Sequence, residues 1–199
     1  MQVRQQVDQS KLNNDRAFPY ALRTSDFQIA MEDVYDFLFD VNSFFLERGL
    51  PRLEDLLRAA NLSGLLSDML TASLAKHSRT LVQNAHPNGH PDLLVKGRYA
   101  NNSEMAAEEG VEIKTTRKRG GAVDTHGGRA QWMCVFVYEV DGRTEPATDR
   151  DALRFTEVYL SQVTVADFRK NARGELGTRT ATLHRDGIKK LRLDWVYKL

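Results

Sequence analysis

The chain has 199 residues, 41% hydrophobic and 28% charged, which suits one folded domain with a substantial core and excludes an intrinsically disordered chain. Its single cysteine, Cys134, excludes a disulfide framework and a cysteine zinc cluster and suits a reducing cytoplasm. The formal net charge is only +1, so any charged surface must come from segregation along the chain. The apolar runs are too short to span a bilayer, and Met1 to Asp8 is polar with no signal-peptide core, so no membrane partner and a cytoplasmic location are expected.

Residues 1–24 read as a polar arm with little structure of its own. Ser25 and Gln28 have the spacing of a capping box. After them, Phe27, Met31, Val34, Phe37, Leu38, Val41, Phe44 and Phe45 recur every three or four residues. That spacing predicts an amphipathic helix of about five turns, closed by Gly49 and Pro51. A second helix is expected over 51–60. A third begins near Asn61 or Ser63, with Leu62, Leu65, Leu66, Met69, Leu70 and Leu74 on one face and Leu81 at the end of the series. Residues 25–83 are therefore the helical part.

From residue 84 the pattern becomes that of strands. Asp92–Tyr99 and Val111–Thr116 read as strands joined by a polar connection. Gln131–Val140 is apolar on both faces, as in a central strand. Thr156–Val165 and Thr178–His184 are further candidates. At the C-terminus Leu191, Leu193, Trp195, Tyr197 and Leu199 alternate with Arg192, Asp194 and Lys198, which predicts a one-sided strand. No repeat or linker divides the chain, so helices followed by strands predict one α/β domain over 1–199 around a mixed sheet.

Charge is unevenly spread. Acids outnumber bases between Asp26 and Ala59, and bases dominate Lys114–Ala130 and Val165–Leu199. Such a chain can offer a basic face to nucleic acid while staying near neutral. Solvated faces that cancel are the plainer alternative, above all for the C-terminal stretch.

Two short segments carry the chemistry. His90-Pro91-Asp92-Leu93-Leu94-Val95 opens an apolar run with an acid, and Gly110-Val111-Glu112-Ile113-Lys114-Thr115-Thr116 follows it. In a strand Glu112 and Lys114 share one face while Val111, Ile113 and Thr115 take the other. If the two strands pair, Asp92 falls beside both. Phosphodiester hydrolysis needs a barrier reduction on the order of 20 kcal/mol, and one general base supplies only about 10²–10⁴-fold. Charge stabilisation and an activated water must supply the rest, as a metal ion does. Mg²⁺, with Mn²⁺ as a substitute, takes oxygen ligands and keeps several waters. Asp92, Glu112 and the backbone carbonyl of Ile113 suit such a partial shell. Lys114 can orient water or neutralise the phosphorus centre, and a neighbouring cation would depress its pKa.

Pro91-Asp92, nineteen intervening residues and then Glu112-Ile113-Lys114 resemble the PD-(D/E)XK nuclease superfamily, and type II restriction endonucleases in particular. The resemblance covers roughly residues 62–140. It implies a restriction-endonuclease-like fold, a mixed β-sheet flanked by helices, with the catalytic part over 84–199. It also implies Mg²⁺-dependent hydrolysis that leaves 5′-phosphates, with Asp92, Glu112 and Lys114 catalytic. Many members carry a further acid on the preceding helix, for which Glu54 and Asp68 are the nearest candidates. The helix usual after the E-x-K strand is not evident, which implies a compact variant.

Thr115–Arg129 is basic and glycine-rich, and its Arg117, Lys118, Arg119, His126 and Arg129, with Gln131 at the next strand, are the candidate contacts to double-stranded DNA. Its glycines would allow close approach to phosphates; a solvated loop is the alternative. His86 and His90 have metal-like spacing but no further ligand completes a zinc site. His90 adjoins the proposed catalytic strand, and His77 reads as a partly buried helix residue. Cys134 lies in an apolar run, which disfavours a cysteine nucleophile. The leading expectation is a site-specific endonuclease acting as a homodimer on a palindrome, with the acidic helices facing away from DNA. A structure-selective or repair nuclease and a non-catalytic DNA-binding protein are the alternatives.

Overall fold

The computed structural model describes residues 3–121, 123–125, 127–170 and 180–199. Helix α1 (Thr24–Glu47) buries Phe27, Ala30, Met31, Val34, Tyr35 and Leu38 on one face, as their spacing requires. It starts before the expected capping box. The Asp26 carboxylate accepts a hydrogen bond from the Arg23 N–H at 2.9 Å, so Asp26 does the work expected of Gln28. Helix α2 (Leu53–Leu56) is a single turn, shorter than the expected 51–60, because Leu57 and Arg58 are extended. That extended pair turns the chain so that α3 (Ala59–His77) lies over the sheet, with Leu62, Leu66, Leu70 and Leu74 buried.

The helix stops before Leu81, which opens strand β1 (Leu81–Gln83) rather than extending the leucine series. Strands β2 (Leu93–Val95), β3 (Gly110–Thr116), β4 (Asp124–Thr125), β5 (Gln131–Glu139), β6 (Arg154–Val163), β7 (Phe168–Lys170) and β8 (Ala181–Leu183) follow. The strand expected over Thr178–His184 is therefore met at β8, with residues 178 and 179 outside those described. Helix α4 (Arg185–Leu193) and strand β9 (Trp195–Lys198) end the chain. The one-sided strand expected from Leu191 onward is thus half helix. Leu191 is buried against the sheet, whereas Leu193 is 81% exposed, and the His184 imidazole caps α4 by accepting from the Asp186 and Gly187 N–H groups.

Six strands form a mixed sheet in the order β1-β2-β3-β5-β6-β9, and β4-β8-β7 form a small second sheet. Only β3 and β5 are parallel, with Glu112 opposite Met133 and Lys114 opposite Val135. Their crossover contains no helix among its described residues; it lends β4 to the small sheet instead.

Strand β5 is buried on both faces, as its sequence predicts. Cys134, Phe136 and Tyr138 join a large cluster with α1 and α3. Met133, Val135 and Val137 join a smaller one with Val123, Tyr159, Leu183 and Leu191. The small sheet and α4 thus cover the face that the crossover leaves bare. The N-terminal arm is not the loose segment expected. Val7, Leu12 and Leu22 are buried in the large cluster, and Leu12 bridges to Tyr197. No helix among the described residues is long and apolar enough to cross a membrane.

Arg52 fixes the helical layer to the sheet. It is 1% exposed and donates to the carbonyls of Asp141 and Asp151, each at 2.8 Å, while pairing with Asp55 at 3.1 Å. Removing a buried guanidinium strands these carbonyls, whereas Asp55 keeps Arg150 at 3.1 Å. Arg52→Ala should therefore lower unfolding free energy by about 2–4 kcal/mol, read from urea denaturation. A loss under about 1 kcal/mol would show that water replaces the guanidinium freely.

Candidate active site

The β2–β3 ladder is very short. It pairs only Leu93 with Val111 and Leu94 with Gly110. Beyond it β3 has no strand neighbour on that side among the described residues, and the Asp92 side chain takes over the edge. Asp92 Oδ2 accepts the Ile113 N–H at 2.7 Å. In an extended strand the N–H and C=O of one residue point the same way, so the Ile113 carbonyl faces this edge too.

Gly110 makes the approach possible. Its φ is +148°, and a Cβ there would lie 2.0 Å from the Leu93 oxygen and 2.6 Å from Pro91 Cγ. The loop that carries Asp92 is fixed by Asn84. Its Nδ2 donates to the carbonyls of Pro91 and Glu104 at 3.1 and 2.7 Å. Its backbone N–H donates to the Asp92 carbonyl at 2.9 Å.

Glu112 and Lys114 share the sheet face of Met133 and Val135, as alternation requires. The Glu112 carboxylate is buried. Its Oε1 is 2.6 Å from Lys114 Nζ and its Oε2 is 3.4 Å from His90 Nδ1. Asp92, Lys114 and Ile113 line a cleft of about 710 Å³ at the open edge of β3. Asp68, Ser67 and Ser63 of α3 form one wall, and Arg117, Lys118 and Val123 border it opposite. The wall is held by Ser63, whose hydroxyl lies 2.6 Å from Thr115 Oγ1, one residue beyond Lys114.

Burial pushes the Asp92 carboxyl up to about 6, and the neighbouring Glu112 charge adds to the rise; Lys114 and the Ile113 N–H oppose it, and Asp68 pushes further upward. Burial lowers the Lys114 ammonium, but the charges of Glu112 and Asp92 outweigh it and the net shift is upward, against a smaller opposing effect of Arg129. The edge therefore carries more negative charge than Lys114 alone offsets.

The expected catalytic residues Asp92, Glu112 and Lys114, with the Ile113 backbone, thus meet at one edge. Of the two helix acids, Asp68 lines the cleft, whereas Glu54 is buried and bonded to Asn42 at 2.7 Å. The basic residues divide. Arg117 and Lys118 border the cleft. Exposed Arg129 lies near enough to act on Lys114. Gln131 precedes Met133 by two residues on β5 and so shares the Glu112 face. Arg119 is turned away, donating through Nη2 to Glu139 at 2.6 Å. His126 lies outside the described residues. The glycine at 121 serves packing rather than phosphate approach, since a Cβ there would meet Leu191 at 3.0 Å and Tyr159 at 3.1 Å.

Sequence reasoning missed Asn84 as the organiser of the Asp92 loop and weighed Glu54 equally with Asp68. An asparagine in a turn-rich stretch signals a local turn, not contacts twenty residues ahead. Cys134 is buried with its thiol pushed up by desolvation, so a cysteine nucleophile is not available here.

Among the described residues no three His, Cys, Asp or Glu side chains form a ready-made ligand set. The donors fit a hard cation that keeps most of its waters rather than a fully caged metal. Two carboxylates and a carbonyl converge, and Asp92 Oδ1 has no hydrogen-bond partner among the described residues. Both Glu112 oxygens, by contrast, are already engaged by Lys114 and His90. The chain matches no protein-family model and no curated protein sequence.

Two outcomes test this geometry. Gly110→Ala should drive β2 from β3 and break the Asp92–Ile113 bond, seen as accelerated hydrogen exchange at the Ile113 amide; unchanged exchange would mean that the edge tolerates a side chain. Asp92 has its pKa raised on folding, so the stability tied to its protonated form is full below the unfolded value and is lost as pH rises through about 6. Asp92→Asn should accordingly be more stable than the native chain above that pH, by up to about 3 kcal/mol, and lose the advantage near pH 4. Thermal melts in chelator decide this, and an equal difference at both pH values would refute it.

Proposed function

We propose that this chain is a metal-dependent endonuclease that hydrolyses phosphodiester bonds in double-stranded DNA, on a restriction-endonuclease-like fold. The observation that carries the proposal is the convergence of Asp92, Glu112 and Lys114 at the uncovered edge of β3, where Asp92 and Lys114 line a cleft bordered by Arg117 and Lys118 and Glu112 is buried against Lys114. A hairpin with a screened surface ion pair would not bury Glu112 to 3% exposure or leave a second carboxylate beside it.

Asp92, Glu112 and the Ile113 carbonyl would hold Mg²⁺, or Mn²⁺ in its place. Such an ion, when bound, supplies neutralisation of the phosphate and a more acidic water. The residues of the chain supply the rest. Lys114 is kept as an ammonium by the two carboxylates and can hold the attacking water or a phosphate oxygen in line. Asp68 faces the same cleft and adds negative charge on its far wall. Arg117 and Lys118 at one end, with Arg129 and Gln131 at the other, would seat the DNA backbone across the edge. Attack opposite the 3′ oxygen leaves a 5′-phosphate and a 3′-hydroxyl. Two copies about a two-fold axis would place one such centre on each strand of a palindromic site.

Incubation with unmethylated phage DNA and Mg²⁺ tests the reading. Discrete fragments with 5′-phosphate ends are expected, and Asp92→Ala, Glu112→Ala or Lys114→Ala should each lower cleavage by at least about 10³-fold while leaving the circular dichroism spectrum unchanged. A smear would replace site specificity with a repair-type or non-specific nuclease. Full cleavage by Asp92→Ala would remove the assignment.

A further inference from the structure

A second cleft, of about 640 Å³, adjoins the first at the C-terminal end of β5 and shares Arg117 and Tyr138 with it. Four arginines line it: Arg117, Arg119, Arg143 and Arg154. Glu139 stands between two of them. Its Oε1 receives Arg119 and its Oε2 receives Arg154, at 2.6 and 3.0 Å, and the paired guanidiniums hold its carboxyl below the ordinary range. One acid thus fixes two guanidiniums side by side.

The other two have no contact with Glu139 among those the structure shows. The Arg117 guanidinium lies over the Tyr138 ring, 5.6 Å from its centre. The Arg143 side chain is exposed and has no ion-pair partner among the described residues. Asp141 and Asp151 are the further acids of the lining, and Asp141 is spent on the backbone, accepting the N–H groups of Arg143, Thr144 and Asp151. Its carboxyl is held far below the usual range by the Thr144 hydroxyl first and then by those backbone bonds.

We propose that this arginine-lined cleft binds the phosphodiester backbone of the nucleic acid where it leaves the catalytic cleft, a flanking subsite centred on Arg143 and Arg154. The inference rests on the nuclease reading and extends its DNA track beyond the basic loop. Guanidinium is weakly hydrated and presents a planar fork that matches phosphate oxygens. The Glu139 clamp removes much of the ordering cost for Arg119 and Arg154. The shared wall at Arg117 lets one continuous strand occupy both clefts.

The test is fluorescence-anisotropy binding of a long duplex to the full chain in Ca²⁺, over a range of salt concentrations. The Arg143→Ala, Arg154→Ala double variant should bind about tenfold or more weakly, with the slope of log Kd against log salt reduced by about 2, one unit per lost phosphate contact. The single Arg143→Ala variant, at an exposed position that cannot threaten folding, should lose about half of that slope. Arg143→Lys, Arg154→Lys should recover most of the salt dependence. Unchanged affinity and slope in both alanine variants, while the native chain binds and cuts DNA, would overturn the subsite alone. A native chain that binds no duplex would overturn both the subsite and the nuclease reading. Equal competition by inorganic phosphate at millimolar concentration would mark a free-anion site and overturn the backbone assignment.

Discussion

A carboxylate that replaces a strand organises this protein. Where β2 stops after two pairs, Asp92 closes the ladder by accepting the Ile113 N–H. Closing the edge with backbone would have satisfied the same donor at no electrostatic cost. Closing it with a carboxylate puts a negative charge at the edge, a carbonyl beside it and Glu112 on the adjoining position. The buried edge is then polar, satisfied on its strand side and open on its solvent side. Gly110 is the condition for this, because no side chain fits between it and Leu93.

The layers behind the edge serve to hold it still. α3 is clipped to β3 through Ser63 and Thr115, which sets Asp68 opposite Asp92. β5 lies beside β3 in parallel register and is packed on both faces, so the backbone under Glu112 and Lys114 has little room to shift. Arg52 ties the helical hairpin to the far end of the sheet through two carbonyls. The arrangement has the property expected of a preorganised site, charged groups held by neighbours that do not themselves take part.

Long periodic elements were legible in the sequence. The three- and four-residue repeat of Phe27 to Leu38 and the leucines of α3 are core positions, and the doubly apolar β5 is the central strand. Alternation alone placed Glu112 and Lys114 together, and pairing placed Asp92 beside them. Legibility failed where two periods agree over a short span. Leu191, Leu193 and Trp195 satisfy an alternating pattern, yet Ile188 and Leu191 also satisfy a helical one, and the imidazole cap at His184 decides for the helix. Leu81 fitted the helical series of α3 by spacing, and only the extended Ser78 puts it in a strand. The packing of the basic loop was not legible because a two-residue strand and a glycine packed on Tyr159 leave no periodic trace. Arg119 looked equivalent to Arg117, since the acid that captures it is twenty residues away.

The two faces of β5 are not equal partners. The larger cluster draws on α1, α3 and the N-terminal arm, whereas the smaller is assembled from Val123, Leu183, Leu191 and a few neighbours supplied by distant turns of the chain. A layer with so few apolar contacts opens at a lower free energy than the whole molecule. Glu112 and Lys114 point toward that thinner layer. Glu112 and Lys114 are thus rooted in a strand that the larger cluster holds and face the layer that the smaller one builds, so their placement depends on both.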